Sequence, residues 1–82
     1  MAREKREKRQ KVYQEAWLTL GGFARRECKV MDLSNGGARL EVDSRNIPED
    51  NLGLSLTKDT RKFTKCRLAW RKGNVIGVEF VD

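Results

Sequence analysis

Two short groups of residues in this chain have types and spacings that could do chemistry. One is Asp32-Leu33-Ser34-Asn35-Gly36-Gly37. Alternate residues of an extended segment point the same way, so a carboxylate at 32 and a hydroxyl at 34 can meet one partner. Asn35-Gly36 tolerates positive φ and marks a tight turn between two alternating runs. Gly37 leaves room for another backbone or a flat ligand to come close. The plainer reading is a β-turn whose Asp32 and Ser34 bond their own backbone. The second group is cationic. Lys5, Arg6 and Arg9 lie within reach of one bound anion, and the plainer reading there is a solvated tail.

The rest of the composition removes most other chemistries. The 82 residues include no histidine, which excludes the usual zinc sites and the Ser-His and Cys-His nucleophile pairs. Cys28 and Cys66 are too few for a disulfide framework and match no metal spacing. Each reads as a small buried hydrophobe. Ser34 has no partnered base in the sequence and there is no phosphate-cradling P-loop. The expectation is a binding protein, not an enzyme, with no metal and no resident cofactor.

The formal charge is +6, unevenly spread. Residues 1–11 hold six basic and two acidic residues, a net of +4, whereas 12–82 hold twelve and ten, a net of +2. The basicity is therefore an N-terminal feature, of the kind that attracts phosphates or an anionic surface. Basic residues beyond it are scattered among acids, which argues against nucleic acid as the partner. No apolar run reaches membrane-spanning length, and the N-terminus lacks the apolar segment of a signal peptide. A soluble cytoplasmic protein without membrane insertion is the expectation.

Residues 1–11 carry no apolar stripe that could dock, so they read as a flexible basic arm ahead of one domain at 12–82. Within that domain the apolar residues alternate. Val12 to Leu20 is β-prone and ends at Gly21-Gly22, with Trp17 expected in the core. Glu27 to Leu33 puts Cys28, Val30 and, across a possible irregularity, Asp32 on one side. Ala38, Leu40 and Val42 alternate with Arg39, Glu41 and Asp43. Residues 44–51, with Pro48, form a loop. Leu52, Leu54 and Leu56 alternate again. In 61–71, Cys66, Leu68 and Trp70 share a face. Lys72-Gly73-Asn74 is a hairpin turn, after which Ile76, Val78 and Phe80 alternate. Six short strands joined by polar turns need no helical crossover, so the sheet should be antiparallel. To hide its edges and bury its apolar faces it should close. The expected fold is all-β, a small six-stranded antiparallel β-barrel behind the basic arm.

A basic element, then a strand, then Asp32-Leu33-Ser34-Asn35-Gly36-Gly37 resembles the PilZ domain family. That family carries RxxxR before its first strand and D/N-x-S-x-x-G at the turn between its second and third. Asp32, Ser34 and Gly37 match the second element in full, followed by Ala38-Arg39-Leu40. The run from Cys66 through Trp70, Gly73 and Gly77 to Phe80 also looks like the family. In the first element Lys5 stands where the family has arginine, with Arg6 beside it and Arg9 closing the motif. Lysine neutralises a phosphate without the planar, two-pronged contact of arginine.

The resemblance implies a six-stranded barrel that binds cyclic di-GMP, a bacterial second messenger. The implied ligand contacts are Lys5, Arg6, Arg9, Asp32, Ser34, Gly36 and Gly37. The arginines would bond phosphates or the O6/N7 edge of guanine, and Asp32 would accept from guanine N1–H and N2–H. Binding would fold the arm over the ligand and change the surface offered to a downstream protein. Two other readings stand beside this one. The first is a degenerate PilZ adaptor acting by protein contacts without ligand. The second is a small basic barrel binding single-stranded nucleic acid.

Overall fold

The computed structural model describes residues 10–21 and 24–81. The alternating segments form six strands: β1 (Gln10–Leu20), β2 (Ala24–Leu33), β3 (Gly37–Glu41), β4 (Leu52–Ser55), β5 (Thr64–Lys72) and β6 (Val75–Phe80). They close into an antiparallel barrel in the order β1-β2-β3-β6-β5-β4. β1 takes in Gln10 and Lys11, which the sequence reading assigns to the arm. Among the described residues there is no helix long and apolar enough to cross a membrane.

Closure is made by β1 and β4, paired from Trp17↔Ser55 to Leu20↔Leu52. The inward residues of every strand then meet in one cluster. Leu18, Val30, Leu40 and Ile76 are fully buried, and Ile47 of the β3–β4 loop packs among them. The β5–β6 turn has Gly73 at φ 60° as the first of its two central residues. That is the position a type II′ hairpin reserves for glycine.

Three single-residue irregularities interrupt the ladders. One lies between Lys11 and Gln14 of β1, one between Val30 and Asp32 of β2, and one between Leu68 and Trp70 of β5. Each adds one residue against its partner strand, the definition of a β-bulge, and re-aims the side chains beyond it. The β5 bulge corrects the sequence expectation for Trp70. Leu68 faces the interior opposite Val78, but Trp70 pairs with Gly77 and stands 43% exposed. Two other expectations change. Trp17 sits half-buried on the outer face, between inward Ala16 and Leu18. Leu56 lies beyond the end of β4 and is exposed.

Cys28 and Cys66 are both free and buried, as expected. Burial pushes the Cys28 thiol up to about 12 and the Cys66 thiol up to about 11, because removal from water penalises the thiolate. A thiol reagent at pH 8 should therefore label neither cysteine in the folded protein and both in denaturant, as absorbance of the released chromophore would show. Leu40→Ala should cost roughly 2–5 kcal/mol in chemical denaturation, since it opens a cavity at a site without solvent exposure.

Candidate functional site

The β2 and β5 bulges have a joint effect. Directly opposed residues of an antiparallel sheet share a face. The register runs Asp32↔Arg39 from β2 to β3, Arg39↔Gly77 from β3 to β6, and Gly77↔Trp70 from β6 to β5. Without the bulges, Asp32 and Trp70 would follow Val30 and Leu68 into the core. With them, Asp32, Arg39, Gly77 and Trp70 form one row across the outside of the barrel.

The row is held by charge and by close packing. Arg39 donates from Nε to Asp32 Oδ2 at 2.7 Å and from Nη2 to the same oxygen at 2.6 Å. The Asp32 side chain is 2% exposed and that of Arg39 is 42%. A carboxylate so far from water needs a charged partner, and Arg39 supplies one while its outer edge still reaches solvent. At the other end, the Trp70 indole lies on bare backbone. A Cβ on Gly77 would stand 2.2 Å from Trp70 Nε1, so any side chain at 77 would dislodge the ring.

The turn between β2 and β3 closes one side of this row. The Ser34 amide donates to the Gly37 carbonyl at 2.9 Å. The Gly36 amide reaches Ser34 Oγ at 3.3 Å, and Ser34 Oγ donates to the Gly37 carbonyl at 3.4 Å. The serine thus organises its own turn, the local role open to a short hydroxyl side chain. Asn35 does not take the left-handed conformation; the described non-glycine residues that do are Tyr13, Asn46 and Asn51. Gly37 is required for space. A Cβ there would stand 2.1 Å from the Val78 carbonyl oxygen, and the preceding turn residue, Gly36, accepts from the Phe80 amide at 2.9 Å. Backbone this close leaves no room for a side chain.

Between turn and indole lies an open groove of about 280 Å³. Its floor is made of small residues, Gly36, Gly37, Ala69 and Gly77, and its walls carry Ser34, Arg39 and Trp70. Glu79 closes one end, opposite Gly37 and in an ion pair with Arg67 at 2.9 Å. A guanidinium beside a flat apolar ring is suited to a planar, anion-bearing ligand.

The sequence-predicted residues Asp32, Ser34, Gly36 and Gly37 are thus brought together, with Asp32 buried behind Arg39 and the others at the groove. Lys5, Arg6 and Arg9 lie outside the described residues. Arg39 and Trp70 are the groove residues that sequence reasoning missed. Alternation marked Arg39 as outward, but only the β2 bulge sets it against Asp32. Trp70 carried the opposite signal, because strict alternation sends it inward. Arg39→Ala should lower stability by roughly 1–3 kcal/mol in urea denaturation by stripping a charge-assisted partner from buried Asp32; Arg67→Ala, on an exposed pair, should change it by less than about 1 kcal/mol.

Residues 4–82 match the family model of the PilZ domain. A comparison with curated proteins gives no match. The match takes in the groove, the turn and every strand of the barrel. PilZ domains are, in general, binding domains for cyclic di-GMP, and with essentially its whole length covered the chain belongs to the PilZ domain family.

Proposed function

We infer that this protein is a cyclic di-GMP receptor that takes the dinucleotide on the groove between the 34–37 turn and Trp70. The observation that carries the reading is the outer row, in which Arg39 and Trp70 flank a floor of glycine and alanine. One guanine would lie on the exposed indole face. Arg39 would donate to a phosphate or to guanine O6/N7, and Ser34 would bond a neighbouring oxygen. Asp32 acts through Arg39, whose position it holds, and accepts from guanine N1–H or N2–H where the ligand draws Arg39 toward itself.

At about 280 Å³ the groove is at the small end for a ligand site. A cyclic dinucleotide with two bases and two phosphates needs further contacts. Lys5, Arg6 and Arg9 are the residues proposed to supply them, closing over the phosphates from the N-terminal side. Engagement of those cations would change the charge of the face that carries the ligand. The changed face is what a downstream protein would read.

A second reading, a PilZ adaptor without ligand, draws on one observation: the Asp32 carboxylate is already engaged by Arg39. Titration calorimetry separates the two. Cyclic di-GMP should bind, and GTP and a short RNA should not. Trp70→Ala should weaken binding about tenfold or more by loss of the stacking platform. Arg9→Ala should weaken it with little change in melting temperature, and Lys5→Arg should strengthen it. No heat of binding with ligand up to about a millimolar would replace the receptor with the adaptor.

A further inference from the structure

A second row crosses the barrel on the side opposite the first. The register runs Arg25↔Thr19 from β2 to β1, Thr19↔Gly53 from β1 to β4, and Gly53↔Lys65 from β4 to β5. Gly53 is again a seat for an aromatic ring: a Cβ there would stand 2.7 Å from Phe63 Cδ2. Phe63 is nevertheless 53% exposed, so its outer side is free for contact. The row and ring form a groove of about 530 Å³, completed by Asn51, Leu52 and Thr60.

Three features make this groove more than a gap between side chains. First, Arg25 and Lys65 stand at its two ends and none of the lining residues is acidic. Among the described residues Arg25 reaches only the Thr60 hydroxyl, at 3.4 Å. Second, the Thr19 hydroxyl oxygen beneath the groove is buried and has no hydrogen-bond partner among the described residues. Buried hydroxyls without partners are uncommon and costly. Third, the exposed Phe63 ring lies between the two cations.

We propose that this groove docks an acidic, extended segment of a partner protein, with an apolar side chain against Phe63 and a carboxylate on each of Arg25 and Lys65. Three strand spacings of about 4.8 Å separate β2 from β5 along the curved wall, an arc of roughly 14 Å that sets an upper bound on the span. An extended chain advances about 3.4 Å per residue, so four residues cover that span. Residues i, i+2 and i+4 of such a segment share a face. The fitting pattern is acidic at i, apolar at i+2 and acidic at i+4. A nucleic-acid strand fits less well. One ring offers a single stacking position, where a strand of bases needs several. The site stands apart from the cyclic di-GMP groove and does not depend on it.

The test is an NMR titration of the full chain with the blocked peptide Asp-Thr-Leu-Thr-Asp. Controls are the same peptide with lysine for aspartate, and an oligouridine. The expected result is a saturable shift of the Thr19, Arg25, Gly53, Phe63 and Lys65 amides with the acidic peptide alone. The double variant Arg25→Glu, Lys65→Glu should bind it about tenfold more weakly and respond to the lysine peptide instead. Gly53→Ala, which unseats Phe63, should also weaken it. Failure to shift these amides, shifts centred elsewhere, or an equal response to the lysine peptide would overturn the proposal. Preference for the oligouridine would overturn it in favour of nucleic acid. The comparison among wild-type ligands needs no variant, so a misfolded variant cannot mask the outcome.

Discussion

Four residue pairs between β1 and β4 hold the rest of the molecule in place. A sheet of six strands has one apolar face and two unpaired edges, and only closure removes both problems. Here closure rests on the shortest strand, Leu52–Ser55, which pairs with β1 on one side and β5 on the other. All four of its residues are buried. Leu52 and Leu54 fill the interior while Gly53 lies beneath Phe63 on the outside. The strand thus serves the core and the surface in alternate residues. A chain of 82 residues has little apolar area to spare, so failure of this seam would expose the leucines that the other strands need.

On that closed frame the bulges decide what faces outward. Each changes a single residue, and together they move an acid and an indole from the interior course to the exterior one. Asp32 then carries the cost of burial through its bonds from Arg39. The same pair gives the groove a guanidinium whose direction is set before any ligand arrives. Preorganisation of this kind lowers the entropy lost on binding. The turn at 34–37 adds rigidity without charge, since Ser34 and the glycines use their hydrogen bonds and free space on one another and on β6.

Much of the frame was legible from alternation alone. Val30, Leu40, Leu54, Ile76 and Val78 stand where a period of two puts them, and the hairpin glycine at 73 reported its own conformation. Trp70 was not legible, because a bulge leaves no mark in composition and resets the period after it. Asp32 was read as a ligand contact from its place in a motif. Its burial and its bond to Arg39 depend on register between β2 and β3, which one chain read in order does not show. Trp17 misled for a different reason: a large apolar ring suggests the interior, but Ala16 and Leu18 already occupy the inward positions around it.

Gly53 and Gly77 each let an aromatic ring rest on backbone from outside the sheet. Neither Phe63 nor Trp70 belongs to the buried cluster. The barrel therefore keeps its surface vocabulary separate from its internal one. A ring on such a seat can be exchanged for another flat group without repacking the interior, and selection can revise what the surface reads while the fold stays as it is. The glycines are the fixed part of that arrangement and the rings the replaceable part, the reverse of the usual assumption that the larger residue carries the constraint.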